Sequence, residues 1–210
     1  IHGNRGNQGI IDTHMMPALP PYSIAFATTS FTGETLAALM KGGKMPMRIP
    51  TDYSRAAFGR QYGVPVNLYP VAMFIHGLMV VDQVIGYSYS HGTGVRSAGD
   101  YWLVKFLQPY WKQSDFMSKS KFIGYWDKNC PVKITNTTDT VASAYVGKDK
   151  ILIAIFDATL KTTQRSINLE ADKNYNWTDI EKSKIIATGK KVTIDLPANG
   201  RMLLELEKAE

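Results

Sequence analysis

Cysteine is almost absent from this 210-residue chain: Cys130 stands alone, so no disulfide can close within the chain and no cysteine-based metal site can form. Pro131, with Asp127 and Lys128 nearby, suggests a turn there, and no neighbouring residue is an obvious base to make the thiol a nucleophile. No apolar run reaches the roughly 20 residues that a membrane span takes. The nearest, Val71 to Ile85, is interrupted by His76, Asp82 and Gln83, and the chain reads as soluble. No phosphate loop is present, because Gly92-Thr93-Gly94 lacks the lysine and the wider glycine spacing of such motifs. There is no Gly-x-Ser-x-Gly elbow for a serine hydrolase. The chain opens at Ile1 with no Met, signal peptide or charged leader, and is read as cut from a longer polypeptide.

Concentrated charge of one sign is also missing. The net charge is +6, yet residues 1–126 carry 11 Lys and Arg against six acidic groups, and residues 127–210 carry 13 against 12. Basic residues never cluster beyond pairs such as Lys190-Lys191, so nothing focuses several phosphate contacts on one face and no nucleic-acid partner is expected. At 44% hydrophobic and 20% charged residues, the composition is that of a globular protein.

What is present changes character near Trp126. Of 23 aromatic residues, 19 lie in residues 1–126. That half alternates short apolar segments with helical patterns. Strands are expected at Ile10-Ile11, at Ser23 to Ala27 leading into Phe31, and at Val64 to Tyr69. One helix is expected over 52–61, capped by Thr51 and stopped by Gly63 and Pro65. A second is expected from Asp100 to Lys112, with Tyr101, Val104, Leu107 and Trp111 on one face. Strands alternating with helices predict α/β units of the barrel kind. After Trp126 the pattern is β. Thr140 to Val146 and Ile151 to Phe156 flank the loop at Gly147 to Lys150, Gln164 to Leu169 alternates, and Lys191 to Leu196 and Arg201 to Leu206 flank Pro197 to Gly200. The reading is α/β followed by all-β: an incomplete (β/α) barrel portion over 1–126 and an antiparallel β-sandwich over 127–210. The first part falls well short of the roughly 250 residues of eight βα units, which leaves an open strand edge to be covered by upstream polypeptide or a partner chain.

Carboxylates are sparse in the first part, and Glu34 is the only glutamate in the first 169 residues. It follows Phe31-Thr32-Gly33 at an expected strand end, where a carboxyl group suits general acid catalysis in a barrel. It equally suits a helix start at Thr35, where it would stabilise the dipole. Asp12 is the second carboxylate in strand order, two residues from His14 and on the same strand face. Glycoside hydrolysis commonly pairs two such groups. Tyr69 ends another strand. Tyr87 to Gly94 reads as a polar, glycine-bearing loop, in which Tyr89 and His91 could touch a sugar, or simply connect two elements. His76, inside an apolar stretch, reads as a core histidine. Asp82 and Asp100 are weaker candidates, and Asp100 suits an N-cap.

The junction carries a resemblance. Phe122 to Val132, with its Gly124-Tyr125-Trp126-Asp127 segment, followed by Val141 to Tyr145 and Lys150 to Ala154, resembles the end of glycoside-hydrolase-like proteins related to glycoside hydrolase family 123. Asp12 to His14 and Phe31 to Glu34 are similar to late barrel strands of that group. The resemblance implies the last strands of a central (β/α) barrel followed by a C-terminal β-sandwich, in a bacterial protein that is secreted or periplasmic. Family 123 proper carries an adjacent Asp-Glu pair, used when the substrate's own acetamide attacks. This chain has no Asp-Glu dipeptide, so the pair lies upstream or the chemistry differs.

Three functions follow as expectations. The first is a glycoside hydrolase fragment with Glu34 and Asp12 catalytic and His14, Tyr69, Tyr89 and His91 contacting a carbohydrate, using no cofactor. The second is a noncatalytic carbohydrate-binding or structural protein with a degenerate barrel. The third is a metal-dependent hydrolase using Asp12, His14 and His91, although two ligands on one strand are too few for a metal site.

Overall fold

The computed structural model describes residues 12–14, 29–32, 66–68, 81–95, 101–157, 163–198 and 200–209. By its contacts the chain divides into two compact units, Ile1–Leu78 with Thr93–Ala98, and Met79–Gly92 with Gly99–Glu210. Position 126, where the composition changes, falls inside the second unit.

Among its described residues the first unit holds four short strands, β1 (Asp12–His14), β2 (Thr29–Thr32), β3 (Val66–Leu68) and β4 (Gly94–Val95). They form one sheet in chain order, and every pairing is parallel. The parallel pairing agrees with the strands expected in this part of the sequence; the connections from β1 to β2 and from β2 to β3 lie outside the described residues. The helix expected over 52–61 and the strand expected at Ser23 to Ala27 lie outside the described residues.

The second unit is mostly antiparallel sheet with a few helices. Among its described residues, helices α1 (Val81–Ser90), α2 (Tyr101–Lys112) and α3 (Ser114–Lys119) accompany seven strands. The strands are β5 (Lys121–Ile123), β6 (Val132–Ile134), β7 (Thr140–Val146), β8 (Ile151–Asp157), β9 (Arg165–Asp179), β10 (Lys184–Leu196) and β11 (Arg201–Lys208). Their order is β10-β9-β11-β8-β7-β5, with β6 also pairing β9. The hairpin expected at Gly147 to Lys150 forms as β7 and β8. The turn expected at Pro197 to Gly200 closes through Gly200 N–H donating to the Pro197 carbonyl at 2.9 Å. The strands on either side of it do not pair: β10 pairs β9, whereas β11 pairs β8 and the far half of β9.

That exchange makes one core from the whole sheet. The first half of β9 pairs β6, and its second half pairs β11. Ile167, Leu169, Val192 and Ile194 from one end, and Ala142, Ile153, Leu204 and Trp177 from the other, belong to a single buried cluster. Each fully buried aliphatic side chain in it stabilises by about 1.5–3 kcal/mol. Trp177 is fully buried, and its Nε1–H donates to the Gly189 carbonyl at 2.9 Å. Gly189 lies at a register shift between β9 and β10 with φ of 139°, a backbone that only glycine adopts without strain.

The other face of the central strands is covered by α1. All seven residues of β8 are buried, Ile151, Ile153 and Ile155 in the core and Leu152, Ala154 and Phe156 on the opposite face. Alternating burial predicts a half-exposed strand, and a continuous apolar run such as this one marks a strand covered on both faces. Tyr87 to Ser90, expected in a loop, form the last turn of α1 and are buried. Their polar character is satisfied locally, with Ser88 Oγ donating to the Val84 carbonyl at 2.8 Å and Ser90 Oγ to that of Tyr87 at 2.9 Å. The face expected for the second helix is also corrected: Leu107 and Tyr110 are buried, while Trp111 is 41% exposed.

Candidate functional site

The expected strand-end site falls in the first unit. Asp12 begins β1 opposite Thr29, and His14 ends it opposite Phe31. Thr32, the last residue of β2, is opposite Leu68, the last of β3. Parallel pairing therefore brings the C-terminal ends of three strands to one edge of the sheet. Glu34 and Tyr69 follow β2 and β3 in sequence by two positions and one, and both lie outside the described residues, as do His76 and Asp100.

The second unit builds a different cluster, around His91. The sheet first fixes the C-terminal end of α1, whose last carbonyls have no partner within the helix. Ser143 Oγ donates to the Ser90 carbonyl at 2.6 Å, and Tyr145 Oη donates to that of Tyr89 at 2.7 Å. Ser143 Oγ in turn accepts from the Tyr125 N–H at 3.0 Å, which brings the Gly124-Tyr125-Trp126 segment against the helix end.

His91 is buried there with both ring nitrogens engaged. Its Nδ1 is 2.7 Å from the Tyr87 carbonyl, which can only accept, so Nδ1 carries the proton. Nε2 then accepts from the Tyr125 hydroxyl at 3.3 Å. Tyr87, Tyr125 and Trp126 surround the ring, with centroids at 4.3, 5.6 and 6.0 Å. Burial lowers the pKa of His91 to about 4, and the bond to Tyr87 offsets that only in part. The imidazole is neutral at pH 7, and its Nε2 is engaged by the Tyr125 hydroxyl. Tyr89 is buried against Tyr110 with stacked rings 4.3 Å apart, and desolvation raises its phenol pKa well above the ordinary range.

A second buried polar group centres on Arg201. Arg201 Nε donates to Asp82 Oδ1 at 2.7 Å, and Nη1 donates to Glu181 and to the Tyr110 hydroxyl. It joins α1, α2, β11 and the turn after β9. The only trace in the sequence is an arginine opening an apolar strand; its pairing with Asp82, 119 positions away, has no local signature. Among the described residues no three His, Cys, Asp or Glu side chains converge as metal ligands, and no helix is long and apolar enough to cross a membrane.

Comparison with known proteins places this architecture. Residues 107–194 match the glycoside hydrolase 123, C-terminal domain. No curated protein matches the chain by sequence. Among solved structures, a noncanonic maltogenic alpha-amylase from Thermotoga neapolitana superposes with a TM-score of 0.64 at 7% identity, over 98% of this chain and 56% of its own. An Anoxybacillus alpha-amylase gives 0.62 at 6% identity, over 100% and 54%. A GH27 β-L-arabinopyranosidase from Geobacillus stearothermophilus gives 0.58 at 10%, over 96% and 51%. At such identities the likeness is one of fold, and the chain spans about half the length of these enzymes. The Phe122 to Val132 segment and the β7–β8 hairpin, which carry the sequence resemblance, lie inside the matched residues, and through that C-terminal domain the chain is related to glycoside hydrolase family 123.

Proposed function

We propose that the chain is part of a glycoside hydrolase in which β1 to β4 belong to a (β/α) barrel, the antiparallel sheet folds as its accessory sandwich, and strand-end carboxylates cleave a glycosidic bond. The observation that supports this most is the match of residues 107–194 to a domain of a glycoside hydrolase family. The parallel, chain-order pairing of β1 to β4 adds to it, since a barrel is built from such strands. In this reading Glu34 is the general acid and Asp12 the second carboxylate, with His14 and Tyr69 beside them on a carbohydrate substrate, in a protein that is exported.

A general acid contributes roughly 10²–10⁴-fold to rate. In the full-length protein, Glu34→Gln should therefore lower turnover of an alkyl glycoside by that factor. A substrate with a very good leaving group needs no proton and should recover most of the loss. Equal turnover of Glu34→Gln and the parent on both substrates would remove Glu34 from the mechanism. A full-length protein that binds sugar and turns over neither substrate would favour a noncatalytic binding role.

A further inference from the structure

On the outward face of the second unit, β6, β9 and β10 lie side by side. Lys133 and Lys191 are both opposite Glu170, and Thr193 is opposite Asn168. The Thr135 N–H donates to the Asn168 carbonyl at 3.0 Å, so Thr135 flanks Asn168 on its other side. Two polar rows result, Lys133-Glu170-Lys191 and Thr135-Asn168-Thr193, roughly 7 Å apart along the strands. A hollow of about 340 Å³ is lined by Thr135, Asn168, Glu170, Lys191 and Thr193. Leu169 and Val192 also line it, and both are buried in the core, which makes its base rigid.

Asn168 is held before any ligand arrives. Its N–H donates to Asn136 Oδ1 at 2.8 Å, and its side-chain Oδ1 accepts from the Thr193 hydroxyl at 2.9 Å. The Asn136 amide donates to the Ser166 carbonyl at 3.2 Å, so that side chain continues the ladder beyond the end of β6. With Oδ1 committed, Asn168 offers two amide N–H donors from a fixed position, the pre-organisation that lowers the entropic cost of binding. Lys191 Nζ is 3.4 Å from Glu170, and Lys133 adds a second ammonium to the same row. Donors exceed acceptors, and the row carries a net positive charge. Among the described residues no aromatic ring lines the hollow, so the recognition read here runs through hydrogen bonds and charge.

We propose that this hollow binds a uronate-bearing oligosaccharide, its carboxylate at Lys133 and Lys191 and its hydroxyls on Asn168, Thr135 and Thr193. The choice of a sugar rests on the glycoside hydrolase reading; the preference for an acidic one rests on the two rows. The test is affinity electrophoresis of the full chain in gels containing polygalacturonate or neutral galactan. Retardation is expected in the acidic gel alone. Asn168→Ala, which alters no charge, should weaken it about tenfold, with circular dichroism unchanged. Lys133→Gln with Lys191→Gln should abolish it. No retardation would overturn the proposal. So would retardation that Asn168→Ala leaves intact, because the overall charge of +6 could produce that without a site. These outcomes are independent of turnover, so an inactive Glu34 leaves them unaffected.

Discussion

Arg201→Met tests whether α1 and the antiparallel sheet are joined by a buried ionic group or by a solvated one. The arginine side chain is 3% exposed, whereas Asp82 is 21% and Glu181 33% exposed. Removing one partner of a buried pair costs roughly 3–5 kcal/mol, because the remaining charge is stranded. An exposed pair is worth about 0–1 kcal/mol. Water reaches both carboxylates here, so the lower end of the buried range applies, about 3 kcal/mol. The methionine keeps much of the apolar stem in place, so little of that loss is packing. A drop in Tm of about 10 °C should follow for a unit of this size. Tryptophan fluorescence during urea unfolding is a suitable assay, because Trp102, Trp111, Trp126 and Trp177 all lie in the second unit. Adding Asp82→Asn and Glu181→Gln to Arg201→Met should recover at least about 1 kcal/mol by neutralising the stranded charges. A loss below about 1 kcal/mol for Arg201→Met would refute the reasoning and class the group with surface ion pairs.

Acidification should destabilise the second unit through His91. Its folded pKa of about 4 lies below the ordinary 6.5, so the unfolded chain binds the proton first. This stability is complete above pH 6.5 and is lost as pH falls towards 4, by about 3 kcal/mol in all. Urea midpoints measured across that window should be flatter in His91→Gln, and parallel pH profiles would contradict the neutral, buried imidazole. Gly86→Ala poses a contest between helix propensity and packing. The substitution gains about 1 kcal/mol in helix propensity, but the new Cβ would sit 2.8 Å from a Phe156 ring carbon and 2.9 Å from Arg201 Cβ. Overpacking costs about 1–3 kcal/mol, so a net loss is expected, and a raised Tm would show that α1 can move off the sheet.

Local elements were legible in neighbouring residues. Ile151 to Phe156 read as a strand and Gly147 to Lys150 as the loop of a hairpin, and both form as β8 and the β7–β8 connection. The wording of Phe122 to Val132, Val141 to Tyr145 and Lys150 to Ala154 carried the resemblance to relatives of glycoside hydrolase family 123, and residues 107–194 match that family's C-terminal domain. These are properties of neighbouring residues, and period and turn chemistry report them directly. Contacts distant along the chain supplied the rest. They made Tyr87 to Ser90 a helix end, because Ser143 and Tyr145 satisfy its carbonyls from 53 and 56 positions away. They enclosed His91 among Tyr87, Tyr125 and Trp126, where a polar loop had suggested exposure. They sent β10 and β11 to different partners across a turn that reads as a hairpin. The physical reason is common to all three: a side chain's partner is chosen by which elements pack together, and periodicity records only that a face will be buried, not against what.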